Sequence, residues 1–259
     1  MTASQKIGIA FRSFGSANRF IKNNNLWHFV YIPGILNVVL FYFSFNWFIA
    51  SVSSWVKGMF DLDCDGGYFV WFCYGVSAIA SLLDFFIRWF LYVAFIGLYL
   101  SIYKSILLII YSPVLAYLIE IVEKKYKGIN EPFRMEQLLK DTVRGVILAI
   151  RGLCIEWFAV LVLFIIAFIP IINIIQPVLL WFVSAYFLGV SMLDYTLEKK
   201  GMNVSQSILY SKKNKSLAIG IGSSFQLLFL IPFFGWMFAP TYSVVAAYFA
   251  VEELENIEI

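Results

Sequence analysis

The sequence is short of charge, histidine and cysteine, and each shortage removes a class of function. Only 14% of its 259 residues are Asp, Glu, Lys or Arg, against about 25% in a soluble domain. One histidine leaves nothing with which to build an imidazole metal centre or a His-based catalytic relay. Cys64, Cys73 and Cys154 form no CxxC pair, so neither a disulfide framework nor a zinc site is implied. The first 22 residues do not read as a secretory leader, because Lys6, Arg12, Arg19 and Lys22 are spread through them instead of preceding an apolar core. A net charge of +3 gives no reason to expect a nucleic-acid partner.

Apolar residues, by contrast, make up 61% of the chain, where about 45–50% is usual. A soluble protein of this size has too little interior to hide that surface. Disordered chains are poor in such residues. Barrel strands alternate apolar with polar residues, and the runs here are continuously apolar. The remaining class is an all-α, multi-pass membrane protein.

Residues 1–22 read as an amphipathic helix, with Ile7, Phe11, Phe14 and Ile21 at helical spacing and basic residues between them. Such a helix either lies among lipid headgroups or packs on the protein's own helices. Residues 29–56 form the first span, inside a stretch of 34 residues (23–56) without an ionisable Asp, Glu, Lys or Arg. Residues 68–119 read as a long second helix, crossing somewhere within 85–110, with Asp84 and Arg88 able to pair on one face. A break is expected at Ser112-Pro113, because the residue before proline avoids helical geometry. Residues 120–151 form the most polar, basic segment.

Two further uncharged stretches, 157–193 and 216–251, each carry two prolines. As single helices they run to about 55 Å at 1.5 Å per residue, too long for a bilayer core of about 30 Å. As pairs of full spans they are too short. They read as helical hairpins that penetrate the membrane partway and turn at Pro170 and Pro177, and at Pro232 and Pro240. The turns resemble each other, Phe168-Ile169-Pro170 against Leu230-Ile231-Pro232, and Pro-interrupted apolar repeats point to transport sites. Of the 19 Lys and Arg, 16 fall in the N-terminal, 120–151 and 194–215 segments, which this topology puts on one face. By the positive-inside rule that face is cytoplasmic, and the acidic C-terminus joins it.

Asp61-Leu62-Asp63-Cys64-Asp65-Gly66 has the spacing that opens a calcium loop, but Phe72 stands where the closing Glu belongs. A solvated turn is the better reading. No nucleophile–base pair, phosphate loop or cofactor motif stands out, so an enzyme is not expected.

Several elements in order resemble the CysZ family of bacterial sulfate permeases, related to the etoposide-induced membrane proteins. They are Ile32-Pro33-Gly34-Ile35-Leu36-Asn37 at the first span; Ser112-Pro113 with Glu120 and Glu123; Ile169-Pro170, Pro177, Trp181 and Asp194-Tyr195; then Ile231-Pro232 and Pro240. The resemblance implies two long transmembrane helices plus partly penetrating hairpins, a homo-oligomer in the cytoplasmic (inner) membrane, and passage of sulfate or a similar anion without an ATPase. Sulfate-binding members carry two arginines before the first span, where this chain has Leu26-Trp27-His28. The reading is thus a permease or channel for a small inorganic anion, with a non-transporting membrane scaffold as the alternative. Asn37, Glu120, Glu123 and Asp194 are candidates for polar roles along the pathway. Arg144 and Arg151 are candidates for drawing anions to its mouth. Pro113, Pro170, Pro177, Pro232 and Pro240 are assigned to breaks and turns, and the glutamates equally to capping or solvated roles.

Overall fold

The computed structural model describes residues 1–60, 77–128, 135–166, 170–231 and 234–258. All regular structure among them is helical: α1 (Ala3–Asn23), α2 (His28–Phe60), α3 (Ser77–Lys127), α4 (Met135–Ile166), α5 (Pro170–Lys199), α6 (Val204–Lys213), α7 (Lys215–Phe229) and α8 (Phe234–Glu258). The chain divides into two compact units, one of Met1–Val38 with Ser105–Ile259 and the other Val39–Lys104. The Asp61–Asp65 motif, Pro232, and the side chains of Asn37, Asp84 and Arg88 lie outside the described residues.

In the first unit α1 starts with a capping box. Thr2 Oγ1 accepts from the Gln5 amide, and Gln5 Oε1 accepts from the Thr2 amide. The helix ends in a Schellman turn. Asn25 takes φ 54°, its amide reaches the Lys22 carbonyl, and the Leu26 amide reaches that of Ile21 at 3.0 Å. Its buried face is Ile9, Ala10, Ser13, Ala17 and Ile21, and it packs on α7 and α8. Of the stripe read from the sequence only Ile21 is buried, while Phe11 is half exposed. Small side chains take the inner face because they let helix backbones approach, which large phenyl rings prevent.

α5 runs through the middle of this unit, packed against α4, α6, α7 and α8. Its closest neighbour is α7. A Cβ placed on Gly189 would stand 1.8 Å from the Ala218 carbonyl oxygen, and one on Gly222 would stand 1.8 Å from that of Ala185. Ala185 and Gly189, four residues apart, thus face Ala218 and Gly222, four apart on the partner. This is the small-residue seam by which membrane helices gain contact without a hydrophobic driving force between them.

The helix boundaries correct several expectations. α3 passes through Pro113 and ends at Lys127, so Ser112-Pro113 does not break it. Proline costs a helix about 3 kcal/mol. The flanking turns bury Leu107, Leu108, Tyr111, Leu115, Leu118 and Ile119, and the close packing of these side chains offsets the loss. In the basic 120–151 segment, α3 occupies the start and α4 begins at Met135. Its charges belong to helix faces, such as the Glu136–Lys140 pair at 2.7 Å. α5 begins at Pro170, where a proline at the first helical position sacrifices no bond, and continues through 177. Pro240 likewise lies inside α8. Of the five assigned turn prolines, then, 113, 177 and 240 sit within helices. α7 and α8 pack against each other, and Trp236 Nε1 at the start of α8 donates to the Phe229 carbonyl at the end of α7 at 3.0 Å.

In the second unit, parts of α2 and α3 meet through aromatic rings. Phe41, Phe45 and Phe48 surround Tyr99, with Tyr103 stacked below it. Ser44 Oγ and Tyr99 OH share a hydrogen bond of 2.6 Å.

Among the described residues, three segments are long and apolar enough to cross a bilayer: Ile106–Lys127 of α3, Val178–Lys199 of α5 and Phe234–Ile257 of α8. α2 carries a shorter apolar stretch, Val38–Ser54.

Candidate functional site

The most polar interior of the first unit lies at the C-terminal end of α5. Its last two turns carry Asp194, Glu198 and Lys199, with Lys200 just beyond them, and four different helices supply their partners. From α4, Arg144 meets Asp194 side-on, with Nη2 to Oδ1 at 2.7 Å and Nε to Oδ2 at 3.0 Å. Arg144 Nη1 donates to the Met202 carbonyl, and Glu198 Oε1 lies 3.6 Å from Nε. From α6, Ser207 Oγ donates to Asp194 Oδ1. From α3, Glu120 approaches Lys199 at 4.0 Å. From α8, Glu252 pairs with Lys200 at 2.8 Å and Glu255 joins it.

Local backbone chemistry builds this arrangement. α5 closes in a Schellman turn on Gly201, whose φ of +77° suits a residue without a side chain. The Met202 amide returns to the Leu197 carbonyl at 3.1 Å, which leaves the Met202 carbonyl to face Arg144. Asn203 then caps α6 and turns Ser207 inward. The Asp194 side chain is 4% exposed and that of Arg144 is 13%, so water contributes little to either ion. A buried carboxylate is tolerable only when its lone pairs are filled, and three donors fill these.

Next to the ion pair, α3, α4 and α5 meet at Tyr195, the residue that follows Asp194. Tyr195 OH donates to Ser112 Oγ at 3.2 Å, and Ser112 donates to the Thr142 carbonyl at 3.2 Å. Gly145 makes room, since a Cβ there would lie 2.4 Å from Ser112 Oγ. Nearby, between α3, α4 and α5, is a crevice of about 20 Å³ lined in part by Leu108, Gly152, Glu156 and Ser191, the size of one water.

Of the residues singled out in the sequence, Arg144 and Asp194 come together. Glu120 bonds Lys124 at 2.7 Å as well as facing Lys199, and Glu123 bonds Lys127 at 2.7 Å, so both sit in i,i+4 pairs at the end of α3. Arg151 stands exposed on α4, apart from the cluster. Sequence reasoning missed Ser207, Glu198, Lys200 and the Met202 carbonyl. The Asn203–Gln206 capping box next to Gly201 is the signal that marks that turn. Where the resemblance places an arginine pair, Trp27 instead stacks on Tyr31 (5.7 Å, 15°) and meets Phe238 edge-on at 6.4 Å.

Bilayer-length apolar helices closing on a buried ionic hub define an all-α, multi-pass membrane protein. No individual curated protein matches the chain at a significant level. The chain belongs to the family described as sulfate transporter CysZ/etoposide-induced protein 2.4, which matches it over residues 13–240.

Proposed function

We propose that the protein is a permease or channel for a small inorganic anion, with sulfate the first candidate. It sits in the cytoplasmic (inner) membrane with its N-terminus, basic segments and C-terminus on the cytoplasmic side. The family match over residues 13–240 carries this reading. The helical architecture supports it, with apolar segments of spanning length converging on charged ends. Arg144 serves in this reading as a structural cation, since its fork is engaged by Asp194, whereas the exposed Arg151 remains able to attract anions. The water-sized crevice requires helices α3, α4 and α5 to shift before an ion passes between them.

One observation favours the scaffold alternative. The buried ions of the hub neutralise one another within the chain, as a protein that only holds partners in the membrane would arrange them. Sulfate entry into protein-containing liposomes, set against chloride and phosphate, separates the two.

A further inference from the structure

We propose that the junction of α1, α6 and α7 binds an oxyanion of the phosphate class, carried by a lipid headgroup or free in solution. The three helices hold Lys6, Arg12, Arg19, Lys22, Lys212, Lys213 and Lys215 and no Asp or Glu. A surface so one-sided in charge attracts anions. Arg12 is already engaged, by Glu253 of α8 at 3.0 Å. Glu252 and Glu255 of α8 are taken by Lys200. Among the described residues the Lys6 ammonium meets no carboxylate and donates to Asn214 Oδ1, a neutral amide oxygen. That leaves it two further protons to donate. Backbone packing fixes α1 here, since a Cβ on Gly220 of α7 would stand 2.6 Å from that of Ala10, one turn beyond Lys6.

Asn214 occupies the bend between α6 and α7. An asparagine at a helix start ordinarily accepts from an amide of the first turn. Here its side chain makes no such bond and meets Lys6 instead, so the first amides of α7 have no side-chain cap. Ser211, one turn before Asn214 on the same face of α6, is fully buried, and its hydroxyl has no partner among the described residues. An ammonium with protons to spare, uncapped amides and an unpartnered hydroxyl form the donor set that a tetrahedral oxyanion takes. Lys212, Lys213 and Lys215 stand exposed around the bend and add positive charge at its rim. The inference concerns retention of an anion at this junction and is independent of whether the protein conducts one.

The test uses the full-length protein purified in a phosphate-free maltoside detergent. Its melting temperature is followed as inorganic phosphate or dioleoyl phosphatidylglycerol is added, against chloride at equal ionic strength and against phosphatidylcholine. The parent is expected to melt higher, saturably, with at least one of the two probes. Lys6→Gln is expected to raise the half-saturating concentration about tenfold or more, as loss of a hydrogen bond from a charged group does. Ser211→Ala is expected to raise it in the same direction. Lys22→Gln removes the same charge from the other end of α1, where the side chain is exposed, and is expected to leave the value unchanged. A response to phosphatidylglycerol alone assigns the site to a lipid headgroup, and a response to inorganic phosphate assigns it to a free ion. No saturable response to either probe overturns the proposal. So does undiminished affinity in Lys6→Gln. Equal weakening by Lys6→Gln and Lys22→Gln also overturns it, since that is diffuse attraction without a site. Should Lys6→Gln lose its helical content, two other variants decide: Lys6→Arg, expected to keep binding, and the exposed pair Lys213→Gln with Lys215→Gln, expected to weaken it.

Discussion

Arg144 and Asp194, fifty residues apart, meet in a side-on, two-bond ion pair at 2.7 and 3.0 Å that fastens α4 to the end of α5. Removing one partner strands a buried charge, and such losses run to about 3–5 kcal/mol. Asp194→Ala and Arg144→Ala should therefore each lower the melting temperature markedly in detergent. The double replacement Arg144→Met with Asp194→Leu should recover most of the loss, because apolar pairs of similar volume often match a buried ion pair. Single variants that melt within a degree or two of the parent would contradict the account of this contact.

The α5–α7 seam makes a sharper steric prediction. Gly189→Ala and Gly222→Ala push a methyl against a backbone carbonyl of the facing helix, an atom with no rotamer to escape by. Both should destabilise by about 1–3 kcal/mol, as overpacking does. Gly8→Ala and Gly15→Ala on α1 have open space and should stabilise by about 0.5–1 kcal/mol. Thermal melts of the four variants give the order directly.

Tyr195 and Ser112 form an asymmetric pair. Tyr195→Phe removes one donor and leaves Ser112 bonded to the Thr142 carbonyl, a loss of about 1 kcal/mol. Ser112→Ala strands a fully buried phenol, which costs about 1–3 kcal/mol. Serine removal should therefore prove the worse of the two in the same melting assay.

Burial disfavours the charged form of Lys200, but hydrogen bonds to Glu252 and Glu255 and their charges outweigh it, holding the ammonium above its usual 10.5. A pKa raised by folding adds stability that is complete below the unfolded value and is lost as pH rises through the folded one. The melting gap between the parent and Lys200→Met should thus stay constant up to about pH 10 and narrow above that, as the lysine loses its proton. A gap independent of pH throughout would show that the ion pair contributes nothing.

How much of this was legible follows from the physics of each element. Continuous apolar runs announced the class, an all-helical membrane protein, because a bilayer-length apolar stretch reads the same in sequence and in space. The inner face of α1 was not legible. Phe11 and Phe14 dominate any hydrophobic pattern, yet Ala10, Ser13 and Ala17 make the contact by being small. Pro113, Pro177 and Pro240 looked like breaks because local rules ignore the packing on either side of a helix, which here offsets one missing hydrogen bond. Arg144 and Asp194 were visible only as separate charges, since nothing in the chain between them encodes the fold that joins them.

Radiolabelled sulfate uptake into liposomes holding the purified protein, with chloride, phosphate and empty vesicles alongside, tests the central claim most directly. The account predicts saturable sulfate entry well above the empty-vesicle rate, retained with the aromatic cluster at Trp27 in place of an arginine pair. Sulfate entry no faster than into empty vesicles would contradict it, and failure of chloride and phosphate as well would leave the scaffold reading in its place.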